Sequence, residues 1–100
     1  MRRLALTVLV LLLVAPPARA KSPAEFCAVR WPDDFDMQEV CVRKQTAAAQ
    51  RIEAWTTAHK ATAAASTIRA TCSKRWEDDA DMMDVCIQKQ WAAYQRLHPN

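Results

Sequence analysis

The sequence contains no glycine at any of its 100 positions. Glycine supplies backbone conformations that other residues avoid, so glycine-rich phosphate loops and tight two-residue hairpins are excluded. Proline is also absent between Asp33 and His98. Alanine, glutamine, lysine and arginine, which favour helix, fill much of this stretch. The chain is therefore predicted to be all-α.

The chain also lacks an excess of positive or negative charge when its first 20 residues are left out. Arg2 and Arg3 precede an apolar run over residues 4–15, and Ala18-Arg19-Ala20 has the pattern of a signal-peptidase site. The run is shorter than the ~20 residues of a membrane-spanning helix. We expect a signal peptide at 1–20 and a mature chain at 21–100, periplasmic or secreted, without a stable membrane anchor.

The expected mature chain is formally neutral. Removing Arg2, Arg3 and Arg19 leaves 11 basic residues against 11 acidic ones, which gives no support to nucleic-acid binding. A chain of about 80 residues forms one small domain with a marginal core. Small exported domains often add disulfides, and the four cysteines are predicted to do so here.

One segment of the chain occurs twice. Residues 27–51 read CAVRWPDDFDMQEVCVRKQTAAAQR and residues 72–96 read CSKRWEDDADMMDVCIQKQWAAYQR, with 15 of 25 positions identical at an offset of 45. An internal repeat defines the structural unit. We expect repeat 1 over about 24–55 and repeat 2 over about 60–98, packed as one small helical bundle within 21–100.

Each repeat divides at its W-x-D-D segment. Pro32 disfavours helix at Trp31, and Asp33 can cap the next helix, as Asp78 can in repeat 2. Apolar residues at helical spacing flank these segments: Met37, Cys41, Ala48, Ile52 and Trp55; Ala61, Ala65, Ile68 and Cys72; Met82, Cys86, Ala93 and Leu97. Each repeat is predicted to be an αα-hairpin, with a break at 56–60 between them. An unbroken helix over about 34–75 is the alternative.

The cysteines within a repeat are 14 residues apart, which is ~21 Å along one helix. A disulfide needs Cα atoms within ~7 Å, so the chain must reverse between them. A turn at Pro32 favours the pairs Cys27–Cys41 and Cys72–Cys86. The alternative, Cys27–Cys86 with Cys41–Cys72, is similar to the twin-cysteine hairpins of the mitochondrial intermembrane space and puts Pro32 inside a helix.

No set of residues with catalytic or cofactor chemistry emerges. A nucleophile needs a base and an orienting group, whereas His59 and His98 lie outside the matched segments. The aspartates lack the glycine of an EF-hand loop and are assigned to helix capping. Met37 and Met82 fit the core stripes better than a copper site. We expect no enzyme activity, no cofactor and no metal.

The repeats differ on one face of the last helix. Helical spacing aligns four of its residues: Ile87, Trp91, Tyr94 and His98. The matching residues of repeat 1 are smaller or polar: Val42, Thr46, Ala49 and Glu53. Either large residues of one hairpin pack against small ones of the other, or the four form an interaction patch for an unknown protein partner or for self-association.

The string Trp31-Pro32-Asp33-Asp34-Phe35, with Met37-Gln38, Cys41 and Gln45, resembles the motif C-x3-W-P-x-D-[FY]-x-M-Q-x-[YF]-C-x3-Q of small, uncharacterised exported proteins of proteobacteria. The chain departs from it at Val40, where an aromatic is usual, and its second copy lacks the proline. The cysteine spacing is also similar to that of the periplasmic lysozyme-inhibitor family, although the D-x2-L-N-x2-Y segment of that family is absent.

These features predict a non-enzymatic binding or interaction module of the bacterial envelope. The second resemblance implies an alternative, a periplasmic inhibitor of a cell-wall enzyme such as lysozyme. A metal carrier is a further alternative.

Overall fold

The computed structural model describes residues 21–99. Four α-helices make up this part of the chain: α1 (Pro23–Arg30), α2 (Phe35–His59), α3 (Ala63–Arg75) and α4 (Ala80–Leu97). Helices α1 and α2 form hairpin 1, and α3 and α4 form hairpin 2. The all-α prediction is confirmed. The expected signal peptide lies outside the described residues.

Each hairpin is closed by its own disulfide. Cys27 bonds to Cys41 and Cys72 bonds to Cys86, with Cα atoms 5.7 Å apart in both pairs. The preferred pairing is confirmed, and the pairing across the repeats is wrong. The reversal of the chain between the two cysteines of a repeat is what brings their Cα atoms within bonding reach.

Both hairpins turn through the same backbone bonds. The Trp31 N–H donates to the carbonyl of residue 27 at 2.9 Å, and the Asp34 N–H donates to the Trp31 carbonyl at 3.3 Å. The residues 45 positions later repeat both bonds at the same distances. Hairpin 2 has Glu77 where hairpin 1 has Pro32, so this turn does not depend on proline.

The helix caps lie one residue later than predicted. Asp34 caps α2, where its carboxylate accepts an N–H from three residues on at 3.1 Å, and Asp79 caps α4 in the same way at 3.2 Å. The predicted cap Asp33 has a φ of 61°, the left-handed region that aspartate tolerates. The observed cap Asp34 has a φ of −109° instead, and N-cap residues typically have a negative φ. The other predicted cap, Asp78, bonds to a backbone N–H outside α4.

The chain does break between the hairpins, but later than predicted, because residues 56–59 of the predicted interval are still helical. Helix α2 ends at His59 and α3 begins at Ala63, so the break starts at Lys60, the last residue of the predicted interval. The Thr62 N–H donates to the His59 carbonyl at 2.9 Å, and Thr62 caps α3 without a side-chain bond. The alternative of one unbroken helix is wrong.

A core cluster forms where α2, α3 and α4 meet. Its members are Ile52, Trp55, Ala65, Ile68, Cys72, Cys86 and Ile87. The apolar stripes predict six of these seven residues, and the seventh, Ile87, belongs to the predicted interaction patch. Two residues at the ends of the stripes are exposed. Ala61 lies in the turn before α3, and Leu97 is 76 % exposed. Leu97 is the last residue of α4, whereas its counterpart Ile52 lies inside α2 and belongs to the core cluster.

Gln45 joins the two hairpins. Its side chain is buried, and its Nε2 donates to Asp79 at 2.9 Å while its Oε1 accepts the Ala80 N–H at 2.7 Å. It thereby satisfies a first-turn N–H that α4 cannot satisfy internally. Six residues on, Arg51 donates from Nε to Asp84 at 2.8 Å. These contacts advance along both helices in the same direction, so α2 and α4 run parallel.

Replacing Gln45 by alanine is expected to lower the free energy of unfolding by ~1–3 kcal/mol, because the Asp79 carboxylate and the Ala80 N–H lose a buried partner. Gln90→Ala is the matched control, since Gln90 is the half-buried counterpart of Gln45 in repeat 2. Urea denaturation of both variants measures the difference. Equal losses in the two variants would contradict this role of Gln45.

Candidate functional site

Five aromatic rings form a continuous cluster on α2 and α4, which we call the aromatic ladder: Trp55, His59, Trp91, Tyr94 and His98. The Trp91 ring lies 5.7 Å from Trp55, nearly perpendicular to it, and 5.5 Å from Tyr94, nearly parallel to it. Tyr94 and His98 stack at 4.4 Å. These are separations of favourable aromatic pairs. The ladder extends from the core to the surface.

The residues of the predicted interaction patch lie at different depths. Ile87 is 0 % exposed and belongs to the core cluster, so it is not accessible to a partner. Trp91 and Tyr94 are half-buried, and His98 is exposed. The surface that this stripe offers is therefore limited to its last three residues.

The inner half of the stripe packs internally, against residues that sequence reasoning did not pair with it. Trp91 meets Trp55 and, at 4.5 Å, His59 of α2, rather than the small residues of the other hairpin. The sequence predicts Trp55 only as a core residue, and His59 lies outside the repeats. The contact depends on the axial offset between two parallel helices, which no motif in the sequence encodes.

A leucine lies at the outer end of the aromatic ladder. Leu97 follows Tyr94 by three positions, and residues three apart are neighbours on a helix. The His98 N–H donates to the Tyr94 carbonyl at 3.0 Å, and the His98 Nδ1 lies 3.0 Å from the same oxygen. The backbone therefore holds both rings and the leucine at the end of α4. We call Tyr94, Leu97 and His98 the outer face.

The outer face provides contact area rather than reactive groups. An exposed leucine beside two rings presents apolar surface, while the tyrosine hydroxyl and the histidine nitrogens supply hydrogen-bonding atoms at its edge. Aromatic side chains with one polar atom are enriched at the centres of protein interfaces. The arrangement suits the capture of an apolar side chain of another protein.

A carboxylate near the ladder is buried as an ion pair. Asp84 is 8 % exposed, and one of its oxygens accepts the Arg51 Nε–H at 2.8 Å. Arg51 also approaches Asp81 at 4.0 Å. A buried carboxylate is tolerated only when it is paired, so this pair fixes the register of α2 against α4 and, with it, the position of Trp91.

A second concave region lies between the hairpins, below the first turn of α4. Its volume is about 210 Å³, smaller than the ligand pockets typical of proteins. The rings of Phe26 and Trp31 and the half-buried Met37 and Met82 line it. Asp79, also on its wall, is already bound by Gln45 and by its own helix.

Two further properties concern residues 21–99. No three histidine, cysteine, aspartate or glutamate side chains in this range are grouped so that they could hold one metal ion. None of its four helices is long and apolar enough to cross a membrane.

No protein-family model, no curated protein and no solved structure matches this chain. What the outer face does must therefore follow from its own geometry and chemistry.

Proposed function

We propose that the chain is an exported, non-enzymatic binding module of the bacterial envelope that holds a protein partner on the outer face of α4. The exposure of Leu97, 76 %, three positions after Tyr94 on α4, carries this proposal together with the Tyr94–His98 stack. A large apolar side chain exposed next to aromatic rings is typical of a protein-binding surface. The partner is another protein of the envelope or a second copy of the chain.

The support behind the outer face favours tight binding. Tyr94 stacks on Trp91, and Trp91 packs against the buried Trp55. The Cys72–Cys86 disulfide fixes α4 to α3 in the same hairpin. Binding costs free energy when side chains must first be ordered, and a surface already held in place avoids part of that cost.

Two features of the chain support export. Its four cysteines form two disulfides, which persist in the periplasm and outside the cell and are rare in the cytosol. Residues 1–20 have the charge and hydropathy pattern of a signal peptide. Both features favour a mature protein that works in the envelope or beyond it.

Leu97→Asp is expected to abolish partner binding, because the charge must be desolvated in the interface. Its melting temperature should stay within about 3 °C of the wild type, since surface substitutions change stability little. Val29→Asp is the matched control, because Val29 is 69 % exposed on α1, away from the outer face.

The measurement combines capture from envelope extract with sedimentation of each purified protein in its oxidised form. A partner, or a self-associated species, that is kept by the wild type and Val29→Asp but lost by Leu97→Asp supports the proposal. An identical set of bound species for all three proteins would contradict it.

A further inference from the structure

The start of the described chain is bonded to the opposite hairpin. The Lys21 backbone nitrogen donates to Oδ1 of Asp78 at 2.9 Å, across 57 residues of sequence. Asp78 lies in the turn between α3 and α4. This bond ties the entry of α1 to hairpin 2, next to the site where Gln45 contacts the first turn of α4.

Lys21 is held close to the body of the protein by the cap of α1. Ser22 is the N-cap, and its hydroxyl accepts the Glu25 N–H at 3.2 Å. Pro23, the first helical residue, restricts the backbone further. Only the capping residue separates the Lys21 nitrogen from the helix, so little chain freedom remains to be lost when it binds Asp78.

The carboxylate of Asp78 is free for this contact because Asp79 caps α4 in its place. The concave surface around it is also acidic. Lys21, Glu53, Arg69, Glu77 and Asp78 are its charged lining residues, and Arg69 pairs with Glu53 at 2.9 Å. The two negative charges of Glu77 and Asp78 are then opposed only by the one positive charge of the Lys21 side chain. The net negative charge around the Lys21 nitrogen favours a cation there.

We propose that removal of the signal peptide completes the fold by turning the Lys21 nitrogen into a cation bound to Asp78. Hydrolysis of the Ala20–Lys21 peptide bond adds water, leaving a carboxylate on Ala20 and an ammonium group on Lys21. The bond of the precursor, in which a neutral N–H donates to the Asp78 carboxylate, becomes an ion pair between two charged groups on the two hairpins. The proposal rests on the predicted cleavage site and is independent of binding at the outer face.

The ion pair gives the mature protein a defined pH dependence. An ordinary α-amine has a pKa of about 7.7–8.0, and the neighbouring carboxylates raise the pKa of this one in the folded state. A group whose folded pKa is raised contributes its full stability below the unfolded pKa. That contribution is lost as the pH rises through the folded pKa, so it is present at neutral pH and disappears in the alkaline range.

The test uses mature protein that begins at Lys21, and Asp78→Asn with Asp33→Asn as its matched control. Asp33 is the counterpart of Asp78 in the first turn, and asparagine also tolerates its positive φ. Titration of the labelled α-amine by NMR should give a pKa about 0.2–0.7 unit above that of a peptide spanning 21–26. Asp78→Asn should remove this shift, and Asp33→Asn should keep it.

A second measurement compares melting temperatures. Protein that retains Ala20 should melt below the protein that begins at Lys21. Asp78→Asn should lower the melting temperature of the Ala20-retaining protein less than that of the protein beginning at Lys21, because the retained residue has already removed the ion pair and leaves only the N–H···O bond. An α-amine that titrates as in the peptide would overturn the proposal. The proposal would also be overturned if the losses of melting temperature caused by retaining Ala20 and by Asp78→Asn simply added.

Discussion

Removing one disulfide in the Cys72→Ala/Cys86→Ala variant is expected to lower the free energy of unfolding by ~3 kcal/mol relative to the wild-type protein. This bridge closes a loop with a sequence separation of 14, and both sulfurs belong to the core cluster. A domain of about 80 residues has a total stability of only about 4–12 kcal/mol. The loss is therefore a large part of the whole, and far-ultraviolet circular dichroism in urea measures it.

The Cys27→Ala/Cys41→Ala variant is the matched control, with the same sequence separation. Its bridge lies outside the core cluster and joins α1, a helix of 8 residues. Isolated helices of that length are marginal in water. Hydrogen exchange should show that α1 loses protection while α2, α3 and α4 keep it. The account of the core would be contradicted if Cys27→Ala/Cys41→Ala unfolded as a whole while Cys72→Ala/Cys86→Ala lost hydrogen-exchange protection in only one helix.

Ile87→Ala is expected to lower the free energy of unfolding by ~2–5 kcal/mol. Ile87 is 0 % exposed and sits in the cluster shared by α2, α3 and α4. Truncation removes buried methyl groups and leaves a cavity that the surrounding helices fill only in part. Thermal and urea denaturation both measure the loss.

Val42 occupies the matching position of repeat 1 and is half-buried. Val42→Ala should therefore cost less than ~1 kcal/mol, since solvent already reaches part of this side chain. If Ile87→Ala leaves too little folded protein, Ile87→Val should still cost ~0.5–1.5 kcal/mol. Similar losses at positions 42 and 87 would contradict a main core located where α2, α3 and α4 meet.

The two hairpins were predictable because the duplicated segment carries its own constraints. In both copies the aspartates start the second helix, and the cysteine spacing is compatible with a disulfide only if the chain reverses. Pro32 adds a helix stop in the first copy alone. The absence of glycine leaves helix as the dominant choice. These are local effects, and local effects repeat wherever the segment repeats.

What the sequence did not predict depends on how the hairpins pack. Asp34, rather than Asp33, caps α2, and Asp79, rather than Asp78, caps α4, because each turn is one residue longer than predicted. Leu97 is exposed because α4 ends there, although its counterpart Ile52 is buried. The periodicity of a helix identifies an apolar face but does not say which part of that face a neighbour covers.

In the candidate site, too, the residues of one helix face were predictable from the sequence, whereas their contacts with other helices were not. The stripe of Trp91, Tyr94 and His98 follows from helical spacing. Its partners Trp55 and His59 do not, because they meet it only through the parallel arrangement of α2 and α4. The contacts of Gln45 and Arg51 set that arrangement, and each of their partners lies more than 30 residues away in the sequence.

The central claim is that each repeat is an independent hairpin closed by its own disulfide. Trypsin separates the four cysteines into four different peptides, which span 22–30, 31–43, 70–74 and 76–89. Mass spectrometry of the digest of oxidised mature protein, without reduction, should find 22–30 joined to 31–43 and 70–74 joined to 76–89. Peptides joined between the repeats, or cysteines with free thiols, would contradict the claim.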